Sequence, residues 1–380
     1  MISEMKIGGG FRPVAPSEAK ILSIVFRMKK ITQPDIVRDS ELSQQTVSRI
    51  VNSLVEESFL RIGEKQSSGK RGQPSYEVEI NSAFAYSIGV ALMTDALSVL
   101  LMDFSGRVIN YQYRKMESMS RTSVFAAVAN GISVIISNFP LVAGRIAGIG
   151  VGISGYCLDG KSRFNPPQAL EEWAMIPIDT AFQEEFNLPV WVENDGSAAA
   201  IGESFLGAGR KYRNFVYIFV AAGLGGGVIN QHRLVRGAHG NGGEVGLMIP
   251  WDRYDLPTLE TLLASIKAAG GGVASISEML EQFDVTWPGV DAWLEQSSHS
   301  LSLISSGISA LLDPEAIVFG GRIPKELTGK IIPKITIFDD ARRREPRPLP
   351  KLIASETTVD ACAIGAAMIP LERSFFSQIW

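Results

Sequence analysis

Leu42-Ser43-Gln44-Gln45-Thr46-Val47-Ser48-Arg49-Ile50-Val51-Asn52-Ser53-Leu54 sets Val47, Ile50, Val51 and Leu54 at helical spacing, so they form one apolar stripe. Gln44, Gln45, Thr46, Ser48 and Arg49 lie around the first turn and off that stripe. Ser43 is a favourable N-cap, because its hydroxyl accepts an N–H that the first turn leaves unpaired. The expected product is a short amphipathic helix whose exposed N-terminal end carries amide, hydroxyl and guanidinium groups. Those groups read base edges in a DNA major groove. An ordinary surface helix shows the same pattern, so the flanking sequence decides between them.

Upstream, residues 1–16 hold Gly8-Gly9-Gly10, Pro13 and Pro16 and read as a flexible arm. Ser17 is expected to cap a helix in which Ala19, Ile21, Leu22, Ile24, Val25 and Met28 are apolar. Thr32 is the expected cap of a second helix opening at Gln33-Pro34-Asp35, with Ile36 and Val37 inward. Asp39 to Leu42 is a tight connection. Three short helices with the third reading DNA is the helix-turn-helix arrangement. Downstream, Arg61-Ile62 and Tyr76-Glu77-Val78-Glu79-Ile80 alternate as strands do, around a polar, Gly-rich loop with Lys70, Arg71 and Gln73. The loop completes a winged helix-turn-helix. Lys70-Arg71-Gly72-Gln73-Pro74 resembles the Arg-Gly-Arg-Pro segments that enter narrow A·T-rich minor grooves, where negative potential draws in basic side chains. A solvated hairpin loop is the plainer reading of the same residues.

The totals are those of a globular protein: 380 residues, 46% hydrophobic and 20% charged, room for two or three domains with a large core. No apolar run reaches membrane-spanning length, and the first residues hold no signal-peptide pattern, so a cytoplasmic protein is expected. Cys157 and Cys362 are the only cysteines and His232, His239 and His299 the only histidines, which leaves no disulfide framework and no expected metal. Net charge is −4, but residues 1–80 hold 12 Lys and Arg against 10 Asp and Glu, and the remainder 24 against 30. A slightly basic head on an acidic body suits a DNA-reading module joined to a sensing part.

From Tyr86, strands over Ser87–Leu92 and Leu97–Asp103 open an actin-like ATPase pattern. A helix is expected over 122–138, a buried strand over Ile146–Ile153, and a strand ending in Asn194-Asp195 that runs on as a helix to Glu203. Phe215–Val220 then leads into Ala221-Ala222-Gly223-Leu224-Gly225-Gly226-Gly227, with helices over 258–268, 300–312 and 360–369. Two similar α/β lobes around a cleft are implied.

Five segments carry a resemblance that covers nearly the whole chain. They are Gly148–Gly155; Val192-Glu193-Asn194-Asp195 with Glu203; Gly223–Ile229; Gly243-Glu244-Val245-Gly246; and Leu312–Gly321. In this order and spacing they resemble the ROK family (repressors, open reading frames, kinases), and the N-terminal winged helix is similar to that of its repressor branch. The implied fold is α/β: a winged helix-turn-helix followed by a two-lobed, actin-like, ROK-type sugar-kinase fold. The expected boundaries are 1–80 for the DNA-binding domain and 81–380 for the sensing domain. The lobes are expected at about 81–200 with the C-terminal helix, and 201–359.

The departures bear on function. The family's kinases hold ATP phosphates with an Asp-x-Gly-Gly-Thr-like turn, where the Asp positions metal and the glycines admit phosphate. The matching turn here is Ala91-Leu92-Met93-Thr94, so a carboxylate has become a methyl and Met93 would fill phosphate space. A Gly-Thr-Gly opening has become Ala221-Ala222-Gly223, which loses a hydroxyl. Phosphoryl transfer depends on positioning and charge neutralisation, so little or no kinase activity is expected. The family's zinc-binding Gly-Glu-Ile-Gly-His and cysteine run are also gone: Leu247 follows Gly246 and no Cys lies between it and Glu260. Packing of Met248, Ile249, Trp251 and Tyr254 is expected in place of the zinc.

The resemblance implies that a sugar cradle survives. Asn194 and Asp195 match the family's sugar-binding Asn and catalytic Asp, Glu244 and Glu260 match two hydroxyl-binding carboxylates, and Asn165 is a further candidate contact. Carboxylates suit vicinal hydroxyls, accepting paired hydrogen bonds. A helix-capping role is the plainer reading of Asp195. The expected protein is a sugar-responsive DNA-binding transcriptional regulator, a repressor, with no catalytic residue, cofactor or metal. Its expected partners are a sugar or sugar derivative and an inverted-repeat operator with A·T-rich flanks, bound as a homodimer or dimer of dimers. The alternatives are an active ATP-dependent sugar kinase that also binds DNA, and a DNA-binding scaffold whose body has lost all ligands.

Overall fold

A computed structural model of the 380-residue chain describes residues 8–66, 75–250, 252–339, 345, 347–357 and 359–376. The head comprises α1 (Pro16–Met28), a short strand β1 (Lys30–Thr32), α2 (Gln33–Ser40), α3 (Gln44–Glu56) and the hairpin β2 (Leu60–Gln66) and β3 (Ser75–Ile80). β1 was not legible in the sequence; it pairs antiparallel with β3, giving the order β1-β3-β2. In α3 the expected stripe is inside: Val47, Ile50, Val51 and Leu54 are buried. Ser43 caps it, its hydroxyl accepting the Thr46 N–H at 3.2 Å. Ser17 does not cap α1. That helix starts two residues earlier than a Ser17 cap would place it, at Pro16, whose missing N–H suits a first turn, and the Glu18 carboxylate accepts the Ala15 N–H at 2.9 Å.

The first lobe follows as β4 (Tyr86–Leu92), β5 (Ala96–Asp103), β6 (Val108–Lys115), α4 (Arg121–Asn138) and β7 (Ile146–Ile153). The small hairpin β8 (Tyr156–Cys157) and β9 (Phe164–Asn165), α5 (Ile178–Phe186), β10 (Val190–Asn194) and α6 (Asp195–Leu206) complete it. The second lobe contains β11 (Phe215–Val220), β12 (Leu224–Asn230), β13 (Arg233–Leu234), α7 (Leu259–Ala268), α8 (Ile276–Gln282) and α9 (Val290–Leu312). It continues with β14 (Ala316–Gly321), α10 (Lys325–Ile331) and β15 (Lys351–Ala354), and the chain closes with α11 (Ala361–Phe375).

The two large sheets run β10-β7-β4-β5-β6 and β13-β12-β11-β14-β15, the same order read from opposite ends. In each, the first strand pairs antiparallel with the second and parallel with the fourth. α11 lies on the first sheet, α6 on the second, and the two helices pack against each other between the sheets. The contact is backbone on backbone. A Cβ at Gly365 would run into the Ala198 carbonyl, and one at Gly150 into the Ala366 carbonyl. Ala366 lies four residues before Pro370, which has no N–H to give its carbonyl. α11 therefore continues through Pro370, beyond the expected end at 369.

Head and body share one core. Phe26 of α1 stacks on Phe205 of α6 at 4.9 Å and meets Phe376, just past α11, at 4.7 Å. Phe59 lies 4.0 Å from Phe84, and Phe104 lies 5.0 Å from Phe375. The arm is not free over residues 8–15, contrary to expectation. Phe11 joins this cluster 5.1 Å from Phe375, and Arg12 pairs with Glu18 at 2.8 Å and also with Glu57.

Gly365→Ala tests the helix contact. Alanine favours a helix by about 1 kcal/mol over glycine, whereas a methyl forced against a fixed carbonyl costs about 1–3 kcal/mol or more. A net destabilisation is expected in urea melts; a variant as stable as the parent would contradict the contact.

Candidate functional site

The cleft is built where β7 and β10 end. Asn194 is the last residue of β10 and caps α6, its Oδ1 accepting the Ser197 N–H at 3.0 Å. Capping thus falls to Asn194 and not to Asp195. The Asn194 amide nitrogen donates to the Gly155 carbonyl at 3.1 Å and lies 3.5 Å from Glu244 Oε1. Asp195, the first residue of α6, accepts the Gly196 N–H at 2.8 Å.

Glycines allow this convergence. Gly243, at φ +104°, has no Cβ to strike Gly226 and Gly227, and the turn it makes brings Glu244 beside Asn194. A Cβ on Gly196 would lie 2.6 Å from the Gly226 nitrogen. Most of the glycine run from Gly223 to Gly227 is therefore strand β12, thinned so that α6 can sit on it. Only residues 221–223 form the turn at the cleft.

Asn165, Asn194, Asp195 and Glu244 line one cavity of about 840 Å³. Glu260, in the first turn of α7, lines a neighbouring cavity of about 170 Å³ instead, together with Asp195, Ala91, Met93 and Thr94. Asp195 is thus the carboxylate common to both. Burial raises its pKa to about 6, against the Gly196 N–H and a Ser154 hydrogen bond, which pull it down. Burial, then the charge of Asp195, raises Glu244 to about 7. The replacement packing expected after Leu247 holds only in part: Ile249 is buried, Met248 and Tyr254 are exposed, and Trp251 lies outside the described residues.

A cluster absent from the sequence reading closes the other side of the cleft. Arg322, directly after β14, pairs with Asp95 of the β4–β5 turn at 2.5 Å and meets the Tyr113 hydroxyl at 3.1 Å. Ser277 of α8 donates to Asp95, also at 2.5 Å. Burial pushes the Asp95 carboxyl up, but the Arg322 hydrogen bond and charge and the Ser277 donors outweigh it, so its pKa is lowered. The pair is separated by 227 positions. Only the adjacency of Arg322 to the Gly320-Gly321 motif could have drawn attention to it.

On the head, Gln44, Gln45 and Arg49 are exposed at the start of α3, while Thr46 and Ser48 are half-buried. The Thr46 hydroxyl lies 2.8 Å from that of Ser43. Lys70, Arg71 and Gln73 lie outside the described residues.

A family model described as "ROK family" matches residues 87–254. A protein of Sinorhizobium fredii named y4fQ is 27% identical over 96% of this chain and 94% of its own length. The xylose repressor of Bacillus subtilis is 32% identical over 60% of this chain; the match spans 59% of that repressor. A crystal structure of a ROK family transcriptional regulator, a homologue of the Escherichia coli MLC protein, superposes with a TM-score of 0.69 at 20% identity. That match covers 94% of this chain and 96% of the other. Among the described residues no helix is long and apolar enough to cross a membrane.

The raised Asp195 pKa has a sign that can be checked. The folded chain holds this proton more tightly than an unfolded one, whose Asp titrates near 3.8. Stability from this group is therefore greatest at low pH and is lost as pH rises from about 4 through about 6. Asp195→Asn should be more stable than the parent at pH 8 by on the order of 3 kcal/mol and lose that advantage near pH 4, read from urea melts. A gain independent of pH would contradict the assignment.

Proposed function

We propose, from the premise that residues 87–254 make this chain a member of the ROK family, that it is a sugar-responsive DNA-binding transcriptional regulator acting as a repressor. One observation carries the reading. Asp195 faces the cleft at the start of α6, and Phe205 at the other end of that helix stacks on Phe26 of the head. A sugar held by Asn194, Asp195 and Glu244, with Asn165 at the rim and Glu260 on the far side of Asp195, alters the lobe arrangement. α6 and α11 carry that change to the head. A ligand shifts such an equilibrium only through its differential affinity for the two arrangements.

The xylose repressor similarity supports repression as the sign of control. The body is not an enzyme in this reading. Ala91 replaces the metal-positioning carboxylate, Met93 stands beside Asp195 in the small cavity where phosphate would enter, and no catalytic role is left for Asp195. The protein acts in the cytoplasm as a homodimer, so that two heads meet the half-sites of an inverted repeat. Gln44, Gln45, Thr46, Ser48 and Arg49 read bases, and Lys70, Arg71 and Gln73 of the wing take the A·T-rich flanks.

The test uses duplexes selected by the full chain from a random pool, at fixed salt. Arg49→Ala should weaken binding to the selected site by about 1–3 kcal/mol. Asp195→Ala should leave that affinity unchanged and abolish release by sugar. Loss of DNA binding in the second variant, or none in the first, would reject the assignment. Sugar-dependent ADP release at ordinary kinase rates would favour the kinase instead.

A further inference from the structure

The large cavity is chemically mixed in a way that the sugar cradle does not account for. Asn194, Asp195 and Glu244 line it together with Leu247, Met248 and Tyr156. These three apolar side chains are 67%, 37% and 43% exposed. All three line one cavity, which distinguishes them from scattered surface apolars. The volume of about 840 Å³ sits in the upper part of the roughly 300–1,000 Å³ occupied by drug-sized ligand sites, leaving ample room beyond a pyranose ring.

Charge narrows the ligand further. Among the described residues lining this cavity, the ionisable groups are Asp195, Glu244 and the Tyr156 phenol, with no Lys or Arg. A phosphate or carboxylate placed there would face two acids across a poorly screened interior. Arg322 lines the smaller, neighbouring cavity and is already paired with Asp95.

Resting on the reading of this cleft as a sugar sensor, we propose that its ligand is an uncharged glycoside with an apolar aglycone. The ring hydroxyls are held by Asn194, Asp195 and Glu244. The aglycone covers Leu247, Met248 and Tyr156, removing their exposed surface from water. Free monosaccharides engage only those polar groups, and sugar phosphates are rejected by the acids.

The test is calorimetric titration of the full chain at pH 8 with matched sets of glucose, galactose, mannose and xylose. Each is offered as the free sugar, as both anomers of its methyl, butyl and phenyl glycosides, and as its phosphate. At least one phenyl or butyl glycoside should bind roughly tenfold or more tighter than its parent sugar, the factor supplied by burying one leucine-sized surface. Leu247→Asn, and independently Met248→Gln, should shrink that ratio while leaving the parent sugar's Kd unchanged. Asp195→Ala should abolish binding of the glycoside, which excludes adsorption through the aglycone alone. A parent sugar that binds as tightly as all its glycosides, or a phosphate that binds tighter, overturns the ligand class and leaves the sensor reading standing. Silence of every sugar in every form overturns both.

Discussion

The contact between α6 and α11 is the constraint on which the rest depends. Both helices are buried between the two sheets, and each presents glycine or alanine wherever the other's backbone passes. Such close approach leaves few side chains that could slip to accommodate a shift. Interiors packed to this density move between discrete arrangements and do not deform smoothly. Each helix also has a polar end and an aromatic end. α6 runs from Asp195 to Phe205, roughly 15 Å along its axis, and α11 from the capping Asp360 to Phe375, roughly 22 Å. The polar ends face the cleft and the aromatic ends reach the head, so two stiff elements join the cleft to the head.

The phenylalanine cluster gives that joint its strength. Phe26 and Phe59 come from the head, Phe84 and Phe104 from the first lobe, Phe205 and Phe375 from the two central helices, and Phe11 from the arm. Aromatic pairs at these separations add a directional term to the area they bury. With one core shared between them, the head is no loosely tethered bead. A displacement at the ends of α6 or α11 must repack rings on both sides.

The cleft divides chemically at Asp195. On one side, amide and carboxylate acceptors share a cavity with apolar side chains; on the other, Met93 stands near an ion pair that spans the lobes. Arg322 and Asp95 tie the first lobe's β4–β5 turn to the end of β14, with Ser277 as a third partner. An ion pair of this burial gains from its extra hydrogen bonds as well as from charge. It bridges the lobes beside the smaller cavity, which Arg322 lines with Met93 and Asp195.

Periodic and local features were legible in the chain alone. The stripe Val47, Ile50, Val51 and Leu54, the Ser43 cap, the alternating hairpin flanks and the strands leading to Asn194 and into Ala221 could be read because each depends on neighbours within a few residues. The ordered segments from Gly148 to Gly321 carried the family resemblance for the same reason, and with it the two-lobed fold. Features that depend on distant partners came from the folded arrangement. β1 exists because β3 lies beside it, and the arm is held because Phe11 finds Phe375. Glu260 and Glu244 line different cavities, and Gly227 lacks the Cβ that would strike Ala200 and Ser197 of α6. Asp95 and Arg322 pair across 227 positions. No local pattern encodes such a meeting, because its energy arises only once both lobes are folded and brought together.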